Sequence, residues 1–280
     1  MTNEFINFWQ HIPEHIRPYI FQIGEFQLRY YGLMYIAAFS VVYMLSLYRL
    51  KSEDFDYPKD AVENYFVWAI LGLMLGARFG YVIFYNFSYY LSHPLEIIMP
   101  FSFDGGFHFT GIAGMSYHGG LIGVITSTAL FCRKYSIKFW QFVDFLIPSI
   151  PLGYTFGRIG NFINGELFGR ATSVKWGMYF PHDMTNQLRH PSQLYEAFFE
   201  GIFLFLILWS IRKIKLFDGF FLGLYIIGYG IVRFLIEFVR EPDSHIGYFF
   251  GYITLGQILC LFMVLAGISI IIYRKSKMHG

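Results

Sequence analysis

Charge is scarce in this 280-residue chain. Asp, Glu, Lys and Arg supply 14% of it, where a soluble domain carries about 25%, so the chain lacks the polar surface to cover itself in water. Cysteine is scarcer still. Cys132 and Cys260 both sit in apolar runs and cannot build a disulfide framework, so they read as two buried thiols. A net charge of +2 gives no support to nucleic-acid binding. No Lys or Arg precedes Arg17, so the N-terminus lacks the basic stretch of a cleaved signal peptide. No internal repeat is visible, which weakens a transporter built from inverted repeats. Apolar residues, by contrast, reach 55%, aromatics 22%, and mean hydropathy is +0.45. These values describe an all-α, polytopic membrane protein.

Crossing ~30 Å of hydrocarbon takes about 20 apolar residues in a helix. Seven segments qualify, near 29–48, 65–85, 117–131, 139–156, 197–211, 220–239 and 252–273. The third is short and opens with Gly119-Gly120, so a tilted or partly broken helix is expected there. Basic residues cluster after segments one, three, five and seven: Arg49/Lys51/Lys59, Arg133/Lys134/Lys138, Arg212/Lys213/Lys215 and Arg274/Lys275/Lys277. The positive-inside rule makes these connectors cytoplasmic, with the N-terminus outside and the C-terminus inside. The expected organisation is one integral membrane domain over 1–280, with outer-side segments at about 86–116 and 157–196.

Nine basic residues escape that pattern: Arg17, Arg29, Arg78, Arg158, Arg170, Lys175, Arg189, Arg233 and Arg240. Arginine offers a planar fork that binds phosphate bidentately and sheds water more readily than an ammonium. Arginines held against the orientation rule therefore suggest an anionic ligand at the outer membrane surface, phospholipid headgroups first. Snorkelling or carboxylate pairing is the competing account, and it suits Arg17 and Arg29 better than Arg158 and Arg233.

Three stretches concentrate polar chemistry in apolar surroundings. Gly157 to Arg170, GRIGNFINGELFGR, interleaves two Arg, two Asn, one Glu and four Gly with Ile, Phe and Leu. Such charges and amides are costly at a lipid interface unless they face one another or a ligand. It follows the fourth segment and is expected to emerge on the outer side. Met115 to Val124, MSYHGGLIGV, places His118 beside two small residues; a proton shuttle and a structural hydrogen-bond partner both fit it. Tyr229, Arg233 and Glu237 recur at i, i+4, i+8, with Arg240 three residues on, giving one polar helical face. That stripe reads either as a site or as an ion-pair ladder. Tyr31, in the tyrosine-rich start of segment one, fits interfacial anchoring or a specific role. The outer loop 170–196 ends in RHPSQLYEA and has the length to receive a second substrate, while the stretch 100–114 around Asp104-Gly-Gly reads as an interfacial or re-entrant arm without chemistry.

Together these pieces, GRIGNFINGELFGR, MSYHGG, YYGLMY, RHPSQLYEA and the Tyr229–Arg240 stripe, resemble the bacterial prolipoprotein diacylglyceryl transferases from residue 29 to 243. The resemblance implies a bacterial inner-membrane enzyme that moves the diacylglyceryl group of phosphatidylglycerol onto the lipobox cysteine of a prolipoprotein signal peptide. A thioether forms and glycerol phosphate leaves. It implies membrane lipids and the precursor as partners; no cofactor is expected, and neither an HExxH nor a paired-Asp motif is present to hold a metal. The family's essential arginines fall on Arg158 and Arg233 and its implicated histidine on His118. Tyr31, Asn161, Asn164, Glu166, Gly169, Tyr229, Glu237 and Arg240 match supporting, substrate-binding positions. On this reading the two arginines grip the phosphate, while thiol activation is open between His118 and an arginine-rich field. A lipid flippase would also want outward arginines but normally shows internal symmetry. An intramembrane hydrolase lacks support, since neither a GxSG serine motif nor an Asp pair is present.

Overall fold

A computed structural model describes residues 3–23, 26–99, 101–102, 108–109, 114–214, 216–241, 248–249 and 252–278. Asp104-Gly-Gly, Lys215, Pro242 and Asp243 lie outside the described residues. After a short helix Asn3–Gln10, the helices needed below are α1 (Tyr30–Ser52), α2 (Lys59–Tyr85), α3 (Tyr117–Lys134), α4 (Phe139–Leu146), α5 (Ile150–Ile163), α6 (Ser192–Ile211), α7 (Phe220–Ile236) and α8 (Leu255–Ser276). The chain is mostly helical, and α1, α2, α6 and α8 are each long and apolar enough to cross a membrane. Antiparallel two-stranded pairs join Tyr19–Ile23 to Phe26–Arg29, Phe101–Ser102 to His108–Phe109, and Tyr248–Phe249 to Ile253–Thr254. Helix ends follow their chemistry. Basic side chains fill the last turns of α1, α3 and α8, where the helix dipole favours cations. Thr254 and Gln257 form a reciprocal capping box at the start of α8.

The chain divides into two compact units, residues 1–53 with 143–280, and residues 54–142. In the second, α2 and α3 cross almost backbone to backbone. A Cβ on Gly80 would stand 2.7 Å from Gly119 Cα, and one on Gly76 would stand 2.6 Å from Gly123 Cα. Of the expected tilted or partly broken third segment, this corrects the broken alternative. The glycines allow close packing of two regular helices, the usual use of small residues at fixed spacing in membranes, and α3 runs unbroken for 18 residues. Arg78 donates to the carbonyls of Ile97 (2.7 Å), Glu96 (2.5 Å) and Gly114 (3.3 Å), tying α2 to the segment beyond it.

In the first unit, a 3-10 turn at Ile147–Ser149, with Pro148 inside it, joins α4 to α5. The helix then continues to Ile163, so Gly157–Ile163 forms its last turns, seven residues beyond the expected end of the fourth segment. Gly160 packs closely on α1, where a Cβ would stand 3.1 Å from the Tyr31 ring and 3.4 Å from Met34 Cβ. Helix α6 starts at Ser192, earlier than expected, and α7 ends at Ile236, so Arg240 lies past the helix on a hydrogen-bonded turn. Both cysteines are buried free thiols, as the composition suggested.

Candidate active site

The signature segment builds one wall. Tyr154, Arg158 and Asn161 recur at i, i+4, i+7 along α5 and so share a face. Arg158 Nε donates to the Tyr154 hydroxyl at 2.6 Å, and Arg158 Nη1 donates to Asn161 Oδ1 at 3.3 Å. Beyond the helix the chain reverses through positive φ at Gly165 (67°) and Leu167 (59°). A left-handed leucine is unfavourable and persists only where its surroundings hold it. Here Ser192 Oγ donates to the Leu167 carbonyl (3.0 Å) and Gln193 Nε2 to the Glu166 carbonyl (2.6 Å). The reversal turns Glu166 back onto the helix end, where its Oε1 accepts from Asn161 Nδ2 (2.8 Å) and Asn164 Nδ2 (3.3 Å). Gly169 lies where two chain segments cross: its N–H donates to the His190 carbonyl (2.8 Å), and a Cβ there would collide with the Val239 carbonyl and His190.

Helices α6 and α7 build the other walls. Residues Ala197–Phe203 of α6 are wound as π-helix, a distortion often found at functional sites. Just before and within it stand Glu196 and Glu200, 1% and 0% exposed in an otherwise apolar helix. From α7, Arg233 reaches Glu196 (3.2 Å), Glu200 (3.6 Å) and Glu237 (3.3 Å). Arg240 lies 3.8 Å from Glu196 and 3.7 Å from Glu237, and Arg158 Nε lies 2.8 Å from Glu196. The Tyr154 hydroxyl donates to Glu200, and the Tyr154 ring meets Tyr229 edge-on at 5.8 Å. Arg170 braces the turn from behind by donating to the carbonyls of Arg240 (2.8 Å) and Glu237 (3.2 Å).

Thus Arg158, Asn161, Asn164, Glu166, Tyr229, Arg233, Glu237 and Arg240 converge in one unit, with Tyr31 against Gly160 and hydrogen-bonded to Tyr35 at 3.2 Å. His118 belongs to the other unit, in the first turn of α3, with an exposed ring 5.6 Å from that of Tyr117. Sequence reading gave no role to Tyr154, Glu196 or Glu200. Their signal was present: Tyr154 lies four residues before Arg158, and Glu196 and Glu200 are acids four apart in an apolar helix. In the segment between α5 and α6, Asp183 accepts from Arg189 Nε (2.7 Å) and Nη2 (3.0 Å), which holds its carboxyl well below the usual carboxylate range.

Among the described residues, four helices of membrane-crossing length, one of which, α6, carries the buried glutamates that three arginines face, define a membrane protein whose polar chemistry is built to face charge. The chain belongs to the prolipoprotein diacylglyceryl transferase family, whose profile matches residues 18–273. It is 50% identical to the phosphatidylglycerol–prolipoprotein diacylglyceryl transferase of Chlorobaculum tepidum over 98% of this chain and 95% of the relative. It is 48% identical to the enzyme of the same name from Campylobacter hominis over 94% of this chain and 93% of the relative.

Proposed function

We propose that the chain transfers the diacylglyceryl group of phosphatidylglycerol to the lipobox cysteine thiol of a prolipoprotein, in the bacterial inner membrane. The observation that supports this most directly is the convergence of Arg158, Arg233 and Arg240 on Glu196 within a chain of this family. In the reaction the cysteine sulfur forms a bond to the glyceryl carbon as that carbon's bond to the phosphate oxygen breaks. The thiol proton leaves sulfur, and glycerol phosphate departs carrying the electron pair.

The site supplies what such a displacement needs. Each guanidinium has five donors, so an arginine can face a glutamate and still offer N–H groups to a phosphate. Arg158 and Arg233 keep 19% and 12% of their side chains exposed, enough to be reached. Our reading is that they hold the phosphate and stabilise charge on the leaving oxygen. Asn161, Asn164 and Glu166 fix the end of α5, while Tyr31, Gly169, Tyr229, Glu237 and Arg240 shape the headgroup site. A thiol has a pKa of ~8.5 and attacks as thiolate; His118 is our candidate for taking its proton.

The same reading makes the chain a single integral membrane domain of seven spans, N-terminus outside and C-terminus cytoplasmic, with outer-side segments at about 86–116 and 157–196. Reporters fused after Lys51 or Lys134 then read as cytoplasmic and one after Lys175 as external; a cytoplasmic Lys175 removes the outer-surface argument. Incubating the purified protein with phosphatidylglycerol and a lipobox peptide should add one diacylglyceryl unit to the peptide mass. Translocated lipid or cleaved peptide, without that adduct, would replace the transferase by a flippase or a hydrolase.

A further inference from the structure

We propose that Glu196 is a positioning residue for the transfer reaction, its carboxylate holding Arg158, Arg233 and Arg240 around one point. This rests on the reading that those arginines bind the lipid phosphate. Among the described residues Glu196 is the one acid paired with all three: Glu237 pairs with Arg233 and Arg240, and Glu200 with Arg233. Three guanidiniums drawn to one place repel one another, and a single buried carboxylate between them offsets that repulsion.

The geometry of the pairing matters as much as its charge. Neither oxygen of Glu196 accepts an aligned hydrogen bond from the described residues, although Arg158 Nε lies 2.8 Å away. The Arg158 Nε–H is directed instead to Tyr154, whose hydroxyl passes on to Glu200. A fork-to-fork pair would consume the donors with which arginine binds phosphate. Glu196 holds the cations by proximity and leaves those directions to other partners. Its own place is fixed by the neighbouring helix: Thr155 Oγ1 donates to the Ala197 carbonyl at 3.2 Å, and a Cβ on Gly201 would collide with Thr155. Thr155 lies one turn before Arg158, so one contact sets Glu196 and Arg158 in register across α5 and α6.

Glu196→Gln separates positioning from plain support, because it removes charge and keeps shape. The cluster gains one net positive charge, so the KM for phosphatidylglycerol should stay level or fall. The arginines lose their shared anchor, and kcat should fall by ~10²-fold, the scale of a misplaced catalytic group. Glu196→Asp restores the charge on a shorter stem and should recover part of kcat. A kcat for Glu196→Gln within about threefold of the parent, or equal losses in kcat and affinity without recovery in Glu196→Asp, overturns the proposal. If Glu196→Gln does not insert in the membrane, Glu196→Asp decides alone: lowered kcat at unchanged KM supports positioning, and unchanged kcat overturns it. Binding of phosphatidylglycerol vesicles by Arg158→Ala and Arg233→Ala tests the underlying reading separately. Undiminished binding there removes the phosphate site itself; weakened binding with a fully active Glu196→Gln removes only the role of Glu196.

Discussion

Arg49, buried, and Arg158, half-buried, both face glutamates in the same unit, yet they are held in opposite ways. Arg49, 1% exposed, donates Nε and Nη2 to the two oxygens of Glu53 at 3.0 and 2.7 Å, a bidentate pair. Its Nη1 donates to the carbonyls of Phe145 (2.5 Å) and Asp144 (3.2 Å), and Nη2 reaches that of Arg212 at 3.3 Å. Its donors close onto the protein, pinning the ends of α1, α4 and α6 together. Around Glu196 the contacts are looser and shared, and the guanidiniums keep some exposure. The contrast teaches that a guanidinium facing a glutamate can close its donors onto the protein or leave them to other partners.

The largest effect that could break this comparison is on folding. Arg49→Ala leaves Glu53 buried with Arg212, 3.2 Å away, as its remaining ion partner among the described residues, and breaking a buried pair typically costs ~3–5 kcal/mol. Thermal unfolding in detergent should show a large drop, while the molecules that stay folded keep their kcat. A catalytic defect without lost stability would make Arg49 part of the site.

Arg158→Lys tests the other arm. Lysine keeps the charge and loses the planar fork, and one preorganised donor in such a site is worth ~10²–10³ in kcat. The rate should fall by that factor with folding intact, whereas Arg17→Lys, at an exposed position, should be nearly silent. An active Arg158→Lys enzyme removes the phosphate clamp and makes both clusters structural.

A smaller, conditional effect is expected at His118. If it takes the thiol proton, His118→Gln slows transfer by ~10²-fold at the acid end of the pH profile. The deficit shrinks as pH rises and the peptide thiol ionises unaided. A deficit equal at every pH, with weaker lipid binding, reassigns His118 to headgroup positioning.

The smallest concerns Asp183 and Arg189, an aligned pair like that of Arg49 but near the surface. Because the folded Asp183 pKa is lowered by Arg189, the pair's stabilisation is full above the ordinary carboxylate value of about 3.9 and fades as pH falls below it. Proteolysis between α5 and α6 should therefore rise in acid, and Asp183→Asn should make that susceptibility independent of pH. Unchanged acid sensitivity in Asp183→Asn would place its origin elsewhere.

Much of the candidate cluster was legible because its residues recur at helical spacing. Tyr229, Arg233 and Glu237 lie on one face, and Asn161, Asn164 and Glu166 sit within six residues of one another. The rest was not. Arg49 was counted only among the basic residues of a cytoplasmic connector, and its burial depends on carbonyls at 144 and 145, nearly a hundred residues on. The fourth helical segment runs on past 156 to Ile163, and glycine, a poor helix former in isolation, is in α5 the residue that fits against α1, as at Gly153 beside Val42 and Ala38.

What the chain's own chemistry determined is the apolar helical framework and the identity of the polar residues, since a segment's hydropathy and spacing are local properties. Tertiary structure alone decided that Arg158, Arg233 and Arg240 meet Glu196. Glu196 is 38 residues from Arg158 and 37 from Arg233 in the chain, and the three meet because α6 packs against α5 and α7. Tertiary structure also decided how each pair is aligned, as at Arg49 and Glu53. A guanidinium can lock or bind with the same atoms, and only the partners that packing brings to its five N–H groups select between the two.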